Sequence, residues 1–441
     1  MILDNQQARE ICRTALSHVT EGQGEIMIFQ GRSPLTRFAN NAIHQNVEVA
    51  NLSVSLRVDV GDRSGRSSTN KTDGESLKQL ARQATEAAKA ITIDQGLPPM
   101  VGPQSYREIK GYDSATADAE PEQRAEMVRK AVDLAKAKGV ILAGFASNGF
   151  MVHAMANTKG LSAYHCQSTA SMEITARDGL AAGRATKSSK FIADLDPNAI
   201  AERAIGKCLG SRNARAQEPG EYTVVLEPEA VATPLQFLSW LSFGALPVQE
   251  GLSCLTGKLG QKLMGDNITI TDDAYNPLNI WAEPFDYEGL PKQQVVIIDR
   301  GVAKTPVYDQ KTAAKEGKQS TGHGLPQPNT YGPFPQNLVL APGTSTLDQM
   351  IASTKRGILV TRFWYNRVVD RKIPIITGMT RDGTFMIEDG KVVYGIKNMR
   401  FNQDLIEFFN SVEMIGPLES SDNMAVPPLK VNGFHFTGRT E

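Results

Sequence analysis

The chain has 441 residues, enough for about three domains, and its 41% hydrophobic and 22% charged content is ordinary for a soluble globular protein. The formal net charge is −1 and no run of Lys and Arg marks a basic face, which argues against direct binding to nucleic acid. The N-terminal residues lack a signal-peptide pattern and no stretch approaches about 18 apolar residues, so we expect a cytoplasmic protein without a membrane span.

The four cysteines lie more than 40 residues apart and form no Cys-x-x-Cys pair. This spacing argues against a disulfide scaffold or a zinc knuckle and favours free thiols. Cys254 invites a nucleophile interpretation, but no base is visible near it in the sequence, so a buried thiol is favoured.

The N-terminal half alternates helices with antiparallel strands. An opening helix is predicted over 4–20. Apolar and polar residues alternate from Leu52 to Val60, which predicts a half-buried strand that turns at Gly61-Asp62 into a partner strand, Arg63 to Thr69. Asp73 is the predicted cap of the next helix. The other elements predicted in this half are a strand at 25–30, helices at 121–139 and 197–212, and strands at 140–157 and 161–177.

A polar segment that contains Pro219 separates this half from the rest. We therefore expect an N-terminal α+β domain over 1–215, with a subdivision near the Pro/Gly-rich connection at 96–115 left open. A C-terminal domain over 219–441 is expected to be dominated by antiparallel sheet. The fold class is predicted as α+β.

The segment from Tyr222 to Leu226 predicts a buried strand, and Pro228 suits the first turn of a helix. Thr233 and Pro234 give a second helix-start signal. The helix that follows is apolar on nearly every side, so it is predicted to be buried and to end near Gly244.

Downstream, the segment 317–336 has many Gly and Pro residues and no periodicity. Such a loop inside a compact domain is usually functional or disordered. Around it, the sequence predicts strands at 267–271, 294–299, 302–308, 358–364 and 385–396, helices at 344–356 and from Asn402 to 412, a loop at 416–428, and a strand at 429–437.

Several dispersed motifs occur in an order that resembles the TldD/PmbA family, also called "modulator of DNA gyrase" proteins. They are LTRFANNAIHQN at 35–46, GRSSTN at 65–70, EGLSCLTGKLGQKL at 250–263, and the runs that begin with NLVLAPG at 337 and GMTRDGTF at 378. The resemblance covers most of residues 25–437. It implies a dimer that encloses a protease chamber, with a role in proteolysis or peptide maturation.

The zinc-bearing members of that family carry His-Glu-x-x-x-His on the helix after the strand at 222–226, and a Cys near the C-terminus as the remaining ligand. This chain has no histidine between His165 and His323, no His followed by Glu, and no cysteine beyond Cys254. It therefore resembles the PmbA/TldE-type branch. We expect no catalytic zinc in this chain and zinc in a TldD-type partner subunit. Whether the assembly is a homodimer or a heterodimer is left open. Whether the chain has any activity alone is also left open.

Other residues of the chain could offer catalytic or binding chemistry. His153 and His165 lie on neighbouring predicted strands, where two ordinary strand histidines are the favoured interpretation. His323 and Tyr331, in the Gly/Pro-rich loop, are the predicted substrate-binding residues, with an ordinary exposed loop histidine as the alternative for His323. A set of carboxylates is expected to be solvated rather than paired for acid–base work: Asp272, Asp273, Glu283, Asp286 and Glu288.

Two rival functions follow from the same sequence. An active hydrolase with unorthodox ligands would use His153, His165 or His323. A non-proteolytic interaction protein would regulate gyrase or a toxin–antitoxin pair. In the favoured hypothesis the chain shapes a chamber and presents peptide or unfolded protein, by adding it as a strand to an exposed sheet edge.

Overall fold

The computed structural model describes residues 2–94 and 96–439. The helices are α1 (Asn5–Ser17), α2 (Gly74–Ala90), α3 (Ser114–Ala117), α4 (Pro121–Ala137), α5 (Pro197–Gly210), α6 (Pro228–Ser242), α7 (Ala245–Gln249), α8 (Gln310–Lys315), α9 (Leu347–Ala352) and α10 (Leu405–Asn410). Within these described ranges, no helix is long and apolar enough to cross a membrane.

The strands of the N-terminal half are β1 (Gln23–Ala39), β2 (Ala42–Val60), β3 (Arg63–Thr69), β4 (Ile141–Asn157), β5 (Ser162–Asp178) and β6 (Ala181–Ser189). Those of the C-terminal half are β7 (Gly220–Leu226), β8 (Ile270–Asp272), β9 (Val295–Asp299), β10 (Val302–Ala303), β11 (Leu338–Leu340), β12 (Arg356–Asp370), β13 (Ile375–Glu388), β14 (Lys391–Gly395), β15 (Met399–Asp404), β16 (Val412–Ile415), β17 (Glu419–Ser421), β18 (Met424–Val426) and β19 (Leu429–Arg439).

The N-terminal sheet consists of two similar halves. Its strand order is β3-β2-β1-β4-β5-β6, with antiparallel neighbours throughout. Each half is a three-stranded meander that begins at the sheet centre, and a helix follows each meander and packs on its edge strand, α2 on β3 and α5 on β6. The halves are thus arranged about the central β1–β4 pair.

A Gly-Arg pair occupies the same place in both halves, on the edge strand where the helix crosses it. A Cβ atom on Gly65 would lie 2.2 Å from the α2 backbone, and one on Gly183 would lie 2.3 Å from the α5 backbone. Glycine therefore lets each helix approach its strand closely. The arginine that follows, Arg66 or Arg184, extends toward the C-terminal half, where each makes a hydrogen bond.

The C-terminal half contains a closed barrel and a second sheet. The barrel order is β12-β7-β19-β15-β13, and it closes because β13 also pairs with β12. Aromatic side chains fill its interior, including Phe363, Phe401 and Phe434, whose ring centroids lie 4.6–5.4 Å apart. The second sheet has the order β10-β9-β8-β11-β18-β17. Most strand pairings are antiparallel, and the pairs β7–β12 and β11–β18 are parallel. The predicted α+β class is confirmed.

The prediction of a second helix start at Thr233 is wrong, because α6 runs without interruption through Pro234. Proline inside a helix removes one backbone hydrogen bond. The burial of most α6 side chains in the C-terminal core stabilises the helix despite this loss.

Other element predictions also need correction. The helix predicted from Asn402 begins instead at Leu405, because Asp404 accepts the cap hydrogen bonds and the preceding residues form β15. The predicted loop at 416–428 contains the short strands β17 and β18, and β6 and α8 had no predicted counterpart. The domain division between 215 and 219 stays a prediction. Residues 1 and 95 of its N-terminal part and residues 440 and 441 of its C-terminal part lie outside the described residues.

The close approach of α5 to β6 generates a stability prediction. Replacement of Gly183 by alanine should lower the free energy of unfolding by about 1–3 kcal/mol, because the added methyl group meets helix backbone that cannot move aside. Gly206→Ala in the same helix is the matched control, since its Cβ position is open and alanine should raise stability by about 0.5–1 kcal/mol. Urea unfolding midpoints check both, and equal midpoints for the two variants would contradict the packing argument.

Candidate functional site

The N-terminus of α6 lies in a partly buried cluster of opposite charges. Glu227, immediately before the helix, accepts hydrogen bonds through Oε2 from Arg203 (2.8 Å) and Lys207 Nζ (2.7 Å), both on α5. Glu229 accepts one through Oε1 from Arg184 Nε at 2.9 Å. The end of α6 is therefore tied to β6 and α5 of the N-terminal half.

The same cluster continues to both sides of Glu229. Arg184 also pairs with Glu173 on β5, and Arg362 on β12 lies 3.9 Å from Glu229 and bonds Asp382. Burial raises the pKa of Glu229, although Arg184 and Arg362 act in the opposite direction. The charges therefore neutralise one another inside the protein, where an unpaired charge would be costly.

The residues of this cluster do not fit the zinc that the family resemblance implies. Glu229 is the only glutamate of α6, so the motif register places Pro228 and Thr233 where the zinc-bearing relatives have histidines. Proline has no side-chain atom that can bind a metal, and the carboxylate of Glu229 already accepts a hydrogen bond from Arg184. No group of three or more His, Cys, Asp and Glu side chains suited to a metal ion occurs within residues 2–94 and 96–439.

His153 and His165 face each other across the β4–β5 pair, as the sequence suggested. Because a carboxylate can only accept, His153 Nδ1–H donates to Glu283 Oε2 at 2.8 Å, while the ring stacks on Phe29 with centroids 4.1 Å apart. Among the described residues, His153 Nε2 has no hydrogen-bond partner. Burial lowers the pKa of His165, so the pair forms part of the interior.

The structure places the two predicted substrate-binding residues in opposite environments. Tyr331 is 84% exposed, whereas His323 is only 1% exposed. His323 Nε2 lies 2.9 Å from Asp272 Oδ1, and its Nδ1 lies 2.9 Å from the carbonyl oxygen of Thr321. The exposed-loop alternative for His323 is therefore wrong, and substrate contact stays a prediction for both residues.

The expectation that the five carboxylates are solvated is wrong for four of them. Asp273 is half-buried, and the others are buried: Asp272, Glu283, Asp286 and Glu288. They are tolerated there because backbone and side-chain donors bind them, which sequence spacing does not show.

Three of these carboxylates hold the Gly/Pro-rich loop of 317–336 against the protein interior. Asp272 pairs with His323, and Asp286 Oδ2 accepts the backbone N–H of Gly324 at 2.7 Å. Glu288 Oε1 accepts from Gln327 Nε2 at 2.9 Å. Burial raises the pKa of both Asp286 and Glu288, and the charge of Asp286 raises that of Glu288 further. The loop is ordered by buried acceptors.

The end of this loop forms one wall of a cleft of about 380 Å³. Ser239 of α6 donates to the carbonyl oxygen of Pro335 at 2.7 Å, which fixes the loop to the helix. On the other side, the β17–β18 turn is fixed by Asn423, whose Oδ1 accepts the backbone N–H of Trp281 at 2.8 Å. The cleft is lined by Met151, Gln236, Ser239, Trp240, Trp281, Glu283, Tyr287, Phe334, Pro335, Gln336, Asn337, Leu338, Asp422, Asn423 and Met424.

Sequence reasoning missed this cleft. The apolar helix now seen as α6 is predicted to be buried, yet its Trp240 is 64% exposed, and Trp281 is 44% exposed. The signal was the helical spacing: Glu229, Thr233, Gln236 and Trp240 recur at intervals of three or four residues, so they share one stripe of α6. The stripe that begins in the charge cluster thus ends at the cleft.

The charge cluster at the start of α6 holds ion pairs where the zinc-bearing relatives have metal ligands. Two family models match the chain, the PmbA/TldA metallopeptidase C-terminal domain over residues 219–438 and the PmbA/TldA metallopeptidase domain 1 over residues 24–88. The chain belongs to the PmbA/TldD family.

Individual relatives are distant in sequence. An uncharacterized protein of Methanocaldococcus jannaschii is 25% identical over 336 residues, 75% of this chain and 78% of the relative. The PmbA metalloprotease homologue of Haemophilus influenzae is 23% identical over a match that covers 57% of this chain and 54% of the homologue. The crystal structure of TldE from Thermococcus kodakarensis superposes on this chain with a TM-score of 0.86 at 23% sequence identity. The match covers 98% of this chain and 100% of the TldE chain, which shows a shared fold.

The charge cluster predicts a large cost for loss of its central cation. Arg184→Met should lower the free energy of unfolding by about 3–5 kcal/mol, because Glu173 and Glu229 would remain partly buried without their partner. Arg212→Met is the matched control, since its pair with Asp178 is exposed and should contribute less than about 1 kcal/mol. Urea unfolding measures both, and a similar small loss for the two variants would refute the cluster's contribution.

The raised pKa of Glu288 predicts a pH dependence of stability. The folded state holds the Glu288 proton to a higher pH than the unfolded chain does, where the pKa is about 4.3. Stability from this group is therefore fully present below about pH 4 and is lost as pH rises through the folded-state pKa. Glu288→Gln carries no titrating proton, so wild-type stability should fall relative to the variant between about pH 5 and 9.

Urea unfolding of wild type and Glu288→Gln across that range gives the difference directly. A constant offset between them is expected from the changed hydrogen bonds, and only its variation with pH reports the titration. Glu10→Gln, at an exposed position of α1, controls for the substitution itself. A difference that does not vary with pH would disprove the prediction.

Proposed function

We propose that this chain is the metal-free subunit of a TldD/PmbA-type peptidase, in which a zinc-bearing partner hydrolyses the peptide bond. This chain would shape the chamber and present the peptide or unfolded-protein substrate to the partner. The family membership supports a metallopeptidase context, and the curated relatives include metalloproteases.

One observation carries the proposal. At the motif positions of α6 the chain has Pro228 and Thr233, and the glutamate between them is bound by Arg184. A divalent cation placed there would meet the positive charges of Arg184 and Arg362 instead of neutral donors. We infer from the charge cluster that this position has a structural role and not a hydrolytic one.

Features beside the cluster suit substrate presentation. β17 is the edge strand of the second sheet and packs against α6 and β6. An edge strand offers unpaired backbone groups to which an extended peptide can add. The cleft lined by Trp240 and Trp281 opens farther along the same helix. Both features are within reach of a peptide that passes the end of α6.

The test combines metal content with peptidase activity. We expect the purified chain to contain no stoichiometric zinc and to cleave no peptide alone, and cleavage to appear in a mixture with a zinc-bearing TldD-type subunit above the level of that subunit alone. Elemental analysis, a fluorogenic peptide assay and size-exclusion chromatography of the mixture provide the measurements. A partner whose motif glutamate is replaced by glutamine is the control for the source of activity.

Three results would count against the proposal. Stoichiometric zinc with chelator-sensitive cleavage by this chain alone would support the active-hydrolase rival. A stable complex with no gain in cleavage would favour a non-proteolytic regulatory role. Failure of the two chains to associate would leave the metal-free subunit without the partner that the proposal requires.

A further inference from the structure

The cleft beside α6 has a chemical character that the proposed function does not by itself explain. Among the residues that the structure describes, its lining includes two carboxylates, Glu283 and Asp422, and no Lys, Arg or His side chain. It also includes the partly exposed indoles of Trp240 and Trp281 and the ring of Tyr287. Aromatic faces together with carboxylates attract an organic cation, because both present negative potential to it.

Glu283 is held in place from beneath the cleft. Its Oε2 accepts the hydrogen bond from His153 Nδ1, and the His153 ring is fixed by stacking on Phe29. Burial opposes ionisation of Glu283, but its interactions with His153, His165 and Lys292 outweigh burial and lower its pKa. Glu283 therefore presents a carboxyl group, fixed by His153, to the floor of the cleft.

Asp422 occupies the opposite wall, at the tip of the β17–β18 hairpin. Asp422 and Asn423 both have positive φ, 47° and 62°, as a tight two-residue hairpin turn requires. Burial raises the pKa of Asp422, although Arg184 and Arg362 act in the opposite direction from the side of the charge cluster; neither arginine lines the cleft. The turn thus presents a carboxylate to the cleft on a rigid support.

The lining of the cleft also contains a polar group without a partner among the described residues. Asn337 lines the cleft and is almost completely buried, and its side-chain Nδ2 has no hydrogen-bond partner within the described ranges. Buried donors in native proteins are normally satisfied. An unmet donor in a cavity lined by carboxyl groups and aromatic rings fits a ligand that carries an acceptor as well as a cation.

We propose that this cleft binds a peptide through a protonated amine, either a lysine side chain or the N-terminal amino group, held between the carboxylates of Glu283 and Asp422 and the indoles of Trp240 and Trp281. The peptide nature of the ligand rests on the proposed function; the preference for an ammonium group rests on the cleft. The cleft lies about 16 Å along α6 from Glu229, a distance that an extended peptide of about five residues spans.

The experiment measures binding to this chain alone, through the fluorescence of its tryptophans. Four pentapeptide amides of otherwise alanine sequence are compared: one acetylated with a central lysine, the same with acetyl-lysine, the same with glutamate, and all-alanine with a free N-terminus. We expect the lysine peptide or the free-amine peptide to bind at least about fivefold more tightly than the acetyl-lysine and glutamate peptides. The first and last peptides distinguish the two sources of the ammonium group.

Variants identify the site. Asp422→Asn removes a carboxylate and keeps a residue that tolerates the turn conformation. Glu283→Gln removes a carboxylate and keeps an acceptor for His153. Each variant should reduce the preference for the cationic peptide. Asp348→Asn is the matched control, because it removes the same charge outside the cleft. Trp364→Phe removes the third tryptophan of the chain and leaves the cleft unchanged, so the fluorescence response should persist.

Equal binding of all four peptides, or a cation preference that survives Asp422→Asn, would overturn the inference. If Glu283→Gln does not fold, Asp422→Asn at its exposed turn still decides the question. The outcome is separable from that of the proposed function. Cleavage in the mixture without a cation preference would refute only the cleft, whereas ammonium binding without cleavage in the mixture would refute only the subunit role.

Discussion

The ion pairs between Arg184 and the carboxylates of Glu173 and Glu229 connect the two halves of this protein. Arg184 lies on the edge strand of the N-terminal sheet, and Glu229 lies in the first turn of the helix on which the C-terminal core is built. A guanidinium in this position must be matched by carboxylates from both sides, since a partly buried unpaired charge is costly. The orientation of α6 relative to the N-terminal sheet depends on that match, and with it the positions of every residue along the α6 stripe.

The internal repeat explains why an arginine occupies this place. The Gly-Arg pairs of β3 and β6 have equivalent positions in the two halves of the sheet, and both arginines reach the C-terminal half. Arg66 donates to the backbone carbonyl of Gln327 at 2.6 Å and pairs with Glu25, so it fixes the Gly/Pro-rich loop. Arg184 fixes the motif helix instead. The same local arrangement, a glycine packed under a helix and followed by an arginine, therefore occurs twice. One arginine holds the Gly/Pro-rich loop and the other holds α6, and the ends of these two segments form walls of the cleft.

Local patterns in the sequence were sufficient for much of the fold. The hairpin of β2 and β3, the Asp73 cap of α2 and the strand–helix unit at β7 and α6 follow from alternation, turn residues and caps that act over a few positions. The failures involve interactions between distant residues. Asp286 and Glu288 look solvated in a polar segment, yet donors from residues 310–327 make their burial possible. Trp240 looks like core because its neighbours are apolar, and only the position of α6 against the 334–337 loop leaves it exposed.

The absence of the zinc motif, by contrast, was readable from the sequence, but what replaces it was not. Loss of two histidines alone would leave a glutamate at a helix start with nothing to balance its charge. Here the glutamate is retained, and cations from β6 and β12 surround it. The helix that would hold a metal in the zinc-bearing relatives is consequently held by guanidinium groups, which are permanently charged and cannot be exchanged with solvent ions. Under the proposed function, such a scaffold suits a subunit that places a substrate, because side chains of the chain itself fix the start of the helix that leads to the cleft.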